Sequence, residues 1–350
     1  MADLIERVRA ALATVEDPDL HRDLVSLNMI RDLTVADGVA RFSLVLTTNA
    51  CPVKQELEDQ VRAAAEGVEG ISRAEVTVTA EAPKQLRDED PLPDVGQIIA
   101  VASGKGGVGK STVTVNLACA LQSLGAQVGI LDADIYGPSI PLMMGCDERP
   151  LVDQKKMVPP TNHDIPMMSM GFLVEPGQAM IWRGPMLMGA IKQFITDVRW
   201  GTLDYLLLDL PPGTGDVPMT LAQSVPLSGA VIVTTPQSVA LLDVDRGIAM
   251  FRKLEVPILG VVENMGTYVC PMCQHEEAIF GSGGGASVAD REGVPFLGTI
   301  PLEPGIRRAG DTGRPIVLEN PDSVSGRSFL AVAEHLTRQA SIAAVQQQRL

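Results

Sequence analysis

Continuous apolar runs recur along most of the chain and predict buried strands. They lie at residues 98–103, 128–134, 205–211, 229–235 and 257–265. The stretches between them, for example 111–124 and 239–254, predict helices, and a last helix begins near Ser325. Strands buried on both faces of a parallel sheet are uninterruptedly apolar, and their alternation with helices is typical of doubly wound folds. Residues 98–350 are therefore predicted to form a doubly wound, mostly parallel α/β domain.

The first 80 residues follow a different pattern. Residues 3–15 carry apolar side chains at helical spacing, and 53–68 predict a second helix. Residues 39–46 and 74–78 alternate as strands do. Residues 1–80 are thus predicted to form a small α/β domain. Residues 81–97 are charged and contain three prolines, which indicates a linker.

Composition and charge exclude several classes of protein. Hydrophobic residues make up 45% of the 350 residues, enough for a buried core. The formal net charge of −15 argues against binding of nucleic-acid phosphates or of an anionic membrane surface. No apolar run approaches the roughly 20 residues of a spanning helix. The first residues lack a secretory pattern, and five cysteines are an odd number. We expect a cytoplasmic protein with no membrane or nucleic-acid partner.

A glycine-rich loop follows the first apolar run and precedes a predicted helix. Its sequence, GKGGVGKS, fits the P-loop pattern in the required strand–loop–helix context. Backbone N–H groups of such a loop surround phosphates, and the helix N-terminus favours the same anion. Lys110 is expected on the β- and γ-phosphates, Ser111 on Mg²⁺ and Thr112 on the α-phosphate. The predicted ATP-binding residues of the loop are Gly104, Lys105, Gly106, Gly107, Val108, Gly109, Lys110, Ser111 and Thr112.

Polar side chains at the ends of later strands complete the predicted nucleotide site. Asp132 and Asp134 end one apolar run, and Asp209 ends the next. Ligands of parallel sheets bind at the carboxyl ends of strands. Asp209 is predicted to hold Mg²⁺ through water, Asp134 to orient the attacking water and Asn264 to pair with the adenine edge. Strand-end capping by the aspartates and a turn role for Asn264 are the structural alternatives.

Cys270 and Cys273 form a C-x-x-C pair soon after Asn264. Two thiolates at this spacing can share a soft metal or a cluster, but they supply only half of a four-ligand set. An identical chain across a two-fold axis could supply the other half. Two unligated cysteines and a redox pair are the alternatives. His275 is near enough to compete as a ligand, although a solvated histidine is favoured.

The combination of motifs resembles two related groups of ATPases. The second lysine of the loop, Lys105, resembles the deviant P-loop of MinD, ParA and arsenite-pump ATPases. The larger set resembles the Mrp/ApbC family of iron–sulfur cluster carriers, and residues 1–80 resemble an iron–sulfur-assembly domain. The motifs are SGKGGVGKST at 103–112, LDADIYGPSIPLMMG at 131–145, WRGPM at 182–186, DLPPGTGD at 209–216, VENM at 262–265, CPMC at 270–273 and IFGSGGG at 279–285.

This resemblance implies a homodimer that hydrolyses ATP slowly with Mg²⁺. It implies a labile 4Fe-4S cluster, bridged between the chains by Cys270 and Cys273 and passed to apoproteins. Lys105 would act on the partner chain's phosphates, so Lys105, Lys110 and Asp134 are the expected catalytic residues. A MinD- or ParA-like regulatory ATPase without a cluster is the alternative function, and a DNA-partitioning ATPase is disfavoured by the acidic charge.

The remaining cysteines and methionines receive weaker assignments. Cys51 precedes a predicted helix, where its thiolate is expected to be favoured, and it either contacts cluster or client or packs in a small core. Cys119 is expected in the core, and Cys146 has no assigned role. Core packing is expected for most methionines of the central region, with a dimer or client surface as the alternative for some. They are Met143, Met144, Met167, Met168, Met170, Met186 and Met188.

Overall fold

The chain divides into two compact units, Met1–Pro83 and Lys84–Leu350. Our computed structural model describes residues 2–81, 91–135, 137–173, 184–270, 272–273 and 275–347. Each unit has a hydrophobic core of its own. Among the described residues, no helix is long and apolar enough to cross a bilayer. Of the predicted linker, residues 82–90 lie outside the described ranges.

The N-terminal unit is a three-stranded sheet with two helices. Strand β4 is central, antiparallel to β3 and parallel to β5. The core is formed by apolar side chains of both helices and of β4, including Val8, Leu12, Phe42, Leu44 and Leu57. In chain order the elements are α1 (Ala2–Leu12), β1 (Glu16–Asp17), β2 (Arg22–Asp23), β3 (Ile30–Ala36), β4 (Val39–Leu46), α2 (Lys54–Glu66) and β5 (Arg73–Ala80).

The sequence pattern predicts α1, β4, α2 and β5 but not β3. Strand β3 shifts register against β4 between Arg31 and Thr34. Asp32, between them, has a left-handed φ of 56°. An irregularity of this kind interrupts the two-residue alternation on which strand prediction depends. The first predicted helix also ends earlier than expected, at Leu12, because Ala13 and Thr14 form a turn.

The C-terminal unit contains an eight-stranded sheet in the order β10-β11-β7-β12-β6-β13-β14-β17. All pairs are parallel except β10 with β11. Its elements are β6 (Val95–Ala102), α3 (Lys110–Ser123), β7 (Val128–Asp132), α4 (Ile140–Met143), β8 (Leu151–Asp153), β9 (Lys156–Val158), β10 (Thr161–Asn162), β11 (Ile165–Ser169), a 3-10 turn (Met170–Leu173), α5 (Gly184–Thr196), β12 (Leu203–Asp209), α6 (Asp216–Ser224), β13 (Gly229–Thr234), α7 (Ser238–Lys253), β14 (Ile258–Glu263), β15 (Tyr268–Val269), β16 (Glu276–Glu277), α8 (Gly284–Glu292), β17 (Phe296–Thr299), α9 (Pro304–Asp311), α10 (Ile316–Glu319) and α11 (Val324–Gln347).

The five predicted strands of this unit are confirmed as β6, β7, β12, β13 and β14. Strand β6 begins at Val95 rather than Ile98, so residues 95–97 belong to the sheet and not to the linker. Strands β11 and β17 were not expected. Strand β11 contains a proline and two methionines, and β17 is only 4 residues long, so neither has a strong strand signature.

Helix α3 is covered on all sides, and its residues 113–121 are all buried. It packs against β7 and β12 of the sheet and against α10 and α11. A helix without a polar face is a buried helix. Cys119 lies in it with no exposed surface, which confirms its predicted core position. Four of the seven methionines are also fully buried, whereas Met186 is 54% exposed; the four are Met144, Met167, Met168 and Met170.

Candidate functional site

The glycine-rich loop joins β6 to α3 and keeps the backbone geometry that a phosphate loop requires. Gly107 and Gly109 have φ values of 82° and 81°, a conformation that L side chains rarely adopt. Gly109 is the N-cap of α3, and no side chain caps the helix there. Gly104 has no room for a side chain, because a Cβ there would lie 2.3 Å from the Cβ of Asp243. The N-terminus of α3 therefore presents backbone N–H groups that are suited to an anion.

Lys110 lies among the buried carboxylates at the ends of β7 and β12. Its Nζ is 2.7 Å from Asp209 Oδ2 and 3.6 Å from Asp134 Oδ2. Ser111 Oγ donates to Asp209 Oδ2 at 2.6 Å, and Thr114 Oγ1 donates to Asp209 Oδ1 at 2.7 Å. The strand-end aspartates and the loop lysine are thus brought together as the sequence predicts. In this arrangement the ammonium group of Lys110 is paired within the chain.

The same cluster has the chemistry of a magnesium site. Asp132, Asp134 and Asp209 are all buried, and Lys110 pairs with Asp134 and Asp209. These two carboxylates and one ammonium leave an excess of negative charge, which suits a divalent cation. The Ser111 hydroxyl and the Asp209 carboxylate are hard oxygen donors, of the kind that Mg²⁺ prefers. Both expected magnesium residues therefore fit the ion.

Asp132 is bonded to its own loop rather than directed into the phosphate site. It is fully buried, and its carboxylate accepts hydrogen bonds from Ser169 Oγ at 2.8 Å and from Asp134 N at 3.1 Å. The N–H of Ile140 donates to it at 3.4 Å. Burial, and then the charge of Asp209, raises the pKa of Asp132 to about 7. Its geometry corresponds to the capping alternative, because it ties the loop after β7 to β11.

Asn264 lies directly after β14 and contacts the P-loop. Its Nδ2 donates to the carbonyl oxygen of Val108 at 2.8 Å, and its N–H donates to Thr234 O at 2.7 Å. A cavity of about 250 Å³ opens beside it. Apolar side chains from α4, from the segment after β17 and from α9 line this cavity; they include Leu142, Met143, Pro301, Leu302 and Ile306. Met265, next to Asn264, also lines it.

The cavity has the size and apolar lining of a site for a flat ring, next to the loop that would hold the phosphates. Sequence reasoning missed most of its lining, because the residues come from three distant segments. Thr112, expected on the α-phosphate, donates its hydroxyl to the sulfur of Met143 at 3.7 Å.

Lys105 is only partly buried and stands apart from the buried cluster. Ser103 Oγ donates to its carbonyl oxygen at 3.0 Å. Within the described part of the chain its ammonium forms no ion pair. The two lysines of the loop thus differ: one is held inside the site, and the other is available to a group outside it.

The C-x-x-C pair lies in the turn of a short hairpin formed by β15 and β16. Tyr268 pairs with Glu277 and Val269 with Glu276, and the N–H of Cys270 donates to His275 O at 2.9 Å. Cys273 and the His275 side chain are exposed. The pair therefore lies in a turn and not at a helix start, which is unlike a thioredoxin-type redox motif.

The turn is arranged to stabilise a thiolate. Backbone N–H groups of Cys273 and then Met272 donate to the sulfur of Cys270, and these bonds lower the pKa of that thiol. N–H donors to sulfur favour its charged, metal-binding form. Among the described residues, no third His, Cys, Asp or Glu completes a metal-binding group with the pair. One chain therefore supplies two ligands, of which the Cys270 thiol is the one favoured as a thiolate.

The expected thiolate character of Cys51 is wrong. Helix α2 begins at Lys54, beyond Cys51, and burial raises the pKa of the Cys51 thiol. The nearby charges of Asp17 and Asp19 raise it further. Cys51 instead packs against the core of its unit. Cys146 is buried as well, and burial raises the pKa of its thiol.

Strand, loop, helix and strand-end carboxylates together define a P-loop nucleotide-binding protein. Residues 94–337 match the family of NUBPL iron-transfer P-loop NTPases, and residues 5–78 match the iron–sulfur cluster assembly protein family. The chain belongs to the iron-transfer P-loop NTPase family. The resemblance to iron–sulfur carriers expected from the motifs is thereby confirmed.

Similar proteins span nearly the whole chain. The iron–sulfur cluster carrier protein of Synechocystis sp. is 49% identical over 348 residues, which cover 97% of this chain and 99% of that protein. The carrier protein of Deinococcus radiodurans is 48% identical over 334 residues, covering 95% and 94%. The structure of a nucleotide-binding protein of Archaeoglobus fulgidus with ADP has a TM-score of 0.61 and 38% identity, over 70% of this chain and 98% of that one.

Proposed function

We propose that this chain is an ATP-hydrolysing carrier of iron–sulfur clusters that works as a homodimer. Each protomer binds Mg-ATP at its P-loop and contributes Cys270 and Cys273 to one labile 4Fe-4S cluster, which is then delivered to apoproteins. One observation carries the proposal: a C-x-x-C turn, with Cys273 exposed and a thiolate favoured at the partly exposed Cys270, begins six residues after the Asn264 that contacts the P-loop. The carrier function of the relatives agrees with it.

Nucleotide binding requires a rearrangement of the buried cluster. Lys110 must leave Asp209 to reach the β- and γ-phosphates, which lie at the helix N-terminus. Asp209 and Ser111 would then hold Mg²⁺, which would supply charge stabilisation to the phosphoryl group. Asp134, already near Lys110 Nζ, orients the attacking water. Asn264 reads the adenine edge from the wall of the apolar cavity.

Lys105 is proposed to act on the partner chain's phosphates. Its ammonium is not held by the buried cluster, so it can reach outward when two copies meet. A cation delivered in trans stabilises the charge of phosphoryl transfer as an arginine finger does. Hydrolysis then depends on dimer closure, which gives a slow ATPase. The remaining loop positions, including Gly106, would bind the phosphates through their backbone N–H groups.

The five free cysteines suit a reducing, cytoplasmic compartment. The net charge of −15 disfavours nucleic-acid and membrane partners. Residues 1–80 are proposed to act as a separate module that contacts client apoproteins. The raised pKa of Cys51 makes it a poor cluster ligand, so this module is proposed to act mainly by binding.

The decisive experiment is cluster transfer to an apo-enzyme, with and without ATP. Wild-type protein reconstituted anaerobically with iron and sulfide should become brown, hold about four irons per dimer and activate the apo-enzyme. Cys270→Ala should lose iron and transfer, while Cys146→Ser, which changes a buried cysteine of the same unit, should retain both. A wild-type protein that dimerises with ATP but takes up no iron would instead support the regulatory ATPase. Stoichiometric zinc after anaerobic purification would indicate a structural site.

A further inference from the structure

Another buried carboxylate, Glu263, is used neither by the nucleotide site nor by the cysteine pair. It is the last residue of β14 and is 1% exposed. Its Oε1 accepts a hydrogen bond from Gly283 N at 3.0 Å, and its Oε2 accepts one from Gly285 N at 2.6 Å. Both donors belong to the N-terminus of α8, where Gly283 is the N-cap.

The glycine-rich segment before α8 has the usual features of an anion-binding loop, but the protein's own carboxylate occupies it. The helix N-terminus favours a negative charge, and hydrogen bonds from N–H to a carboxylate are stronger than neutral ones. A Cβ on Gly285 would lie 2.9 Å from the Cβ of Glu263. The glycines therefore allow Glu263 to approach, so this loop is not a second phosphate site.

The two hydrogen bonds close a loop that contains both cysteines. Residues 264–282 begin directly after Glu263 and end directly before Gly283. Backbone bonds from Ile300 N to Glu263 O and from Gly266 N to Ile300 O fix the start of this loop. The Glu263 carboxylate binds the residues that directly follow its end. The cysteine hairpin thus has both ends fastened at one residue.

The same place in the chain also contacts the nucleotide loop. Asn264, the next residue, donates to Val108 O and Thr234 O. These two bonds do not involve the Glu263 side chain. Removal of the carboxylate should therefore release the far end of the cysteine loop and leave the P-loop contacts in place.

We propose that Glu263 is a positioning residue that fastens the root of the cysteine hairpin. The structural part of this inference is independent of the carrier function. Its consequence, slower loss of the cluster, rests on the proposed function. Glu263 does not touch nucleotide or cargo, so it acts through the hairpin that it anchors.

The test compares Glu263→Gln with Glu276→Gln by hydrogen exchange of the nucleotide-free full chain. Glutamine keeps the size of glutamate but loses the charge and one acceptor. The amides of Gly283 and Gly285 should exchange about tenfold faster or more, since a bond to a charged group is lost. The exchange rates of the β12 amides should not change, because β12 is not bonded to the Glu263 carboxylate. Glu276 is an exposed residue of the same hairpin, and its substitution should leave both regions unchanged.

A second measurement follows iron loss to a chelator from reconstituted protein. We expect loss at least about fivefold faster for Glu263→Gln than for wild type, with the KM for ATP changed by less than about twofold. Unchanged exchange at Gly283 and Gly285 would overturn the anchor. Faster exchange with unchanged iron loss would overturn its role for the cargo. A wild type that holds no iron would refute the carrier proposal, while the exchange result still decides the anchor.

A shorter carboxylate keeps the test valid if Glu263→Gln does not fold. Glu263→Asp retains the charge but reaches one carbon less far, so it cannot span both glycine amides. Faster exchange at these two amides, with β12 unchanged, supports the anchor. Wild-type exchange at both amides overturns it.

Discussion

Substitution of Lys110 by methionine should destabilise the nucleotide-free protein as well as abolish ATP binding. The Lys110 side chain is 5% exposed, and its Nζ pairs with Asp209 Oδ2 at 2.7 Å. Loss of one partner of a buried ion pair costs about 3–5 kcal/mol. For a folding unit of this size, that corresponds to a fall of about 6–20 °C in the midpoint of thermal unfolding. The pKa of Asp132 is already raised to about 7, so this residue can take up a proton in the variant. Protonation should relieve part of the repulsion between the Asp132 and Asp209 carboxylates and keep the fall in the unfolding midpoint at about 6 °C, the lower end of that range.

Magnesium should recover part of the lost stability in Lys110→Met. A cation that binds the folded carboxylate cluster, and not the unfolded chain, stabilises by mass action. Because the variant lacks the competing ammonium, millimolar Mg²⁺ should raise its unfolding midpoint more than that of the wild type. Scanning calorimetry of the full chain, with magnesium and with a chelator, measures both effects.

Lys105→Met is the matched control, because it removes the other lysine of the same loop. A substitution of a partly exposed side chain outside an ion pair changes stability by about 0.5 kcal/mol or less. We expect this variant to bind ATP in calorimetric titration but to release no phosphate. Equal destabilisation by the two substitutions, or equal loss of ATP binding, would refute the different placement of the two lysines.

Three further results are expected. Alkylation of Cys270 should begin at lower pH than that of Cys51, because the pKa of Cys270 is lowered and that of Cys51 is raised; peptide mass spectrometry across a pH series measures this, and coincident profiles would contradict it. Asn264→Ala should weaken ATP binding about tenfold by freeing a buried P-loop carbonyl, with unchanged affinity as the contrary result in titration calorimetry. A truncated protein that starts at Pro91 should dimerise, bind ATP and hold iron, whereas loss of any of these would contradict independent units; a start at Val95 should be less stable, since Leu92 is buried in the core.

The phosphate site could be predicted because its chemistry is local in the sequence. Glycines, lysine and serine are adjacent, and the strand that precedes them is uninterruptedly apolar. Asp209 was predictable for the same reason, since it ends such a strand. The apolar cavity was not, because Met143 and Leu302 meet only after the sheet has formed.

The structure also differs from the sequence predictions where the surroundings of a side chain in the fold outweigh a rule based on its position in the sequence. Position before a helix favours a thiolate at Cys51, but burial and nearby carboxylates have the larger effect and raise its pKa. Asp132 ends a strand as a metal ligand would, yet its partners are its own loop and Ser169. Glu263 belongs to the VENM motif, but only the fold shows that its carboxylate bonds to glycines 20 and 22 residues away.

The short path between Asn264 and Cys270 limits how far the cysteine hairpin can move from the base pocket. Six residues span at most about 20 Å even when fully extended, whatever shape the segment takes. No domain movement or dimer closure can carry the Cys270 backbone farther than that from Asn264. A paramagnetic cluster on this hairpin would therefore always remain near the nucleotide bound to the same chain. Magnetic relaxation of a nucleus on that nucleotide would then report the presence of cargo and its departure in real time.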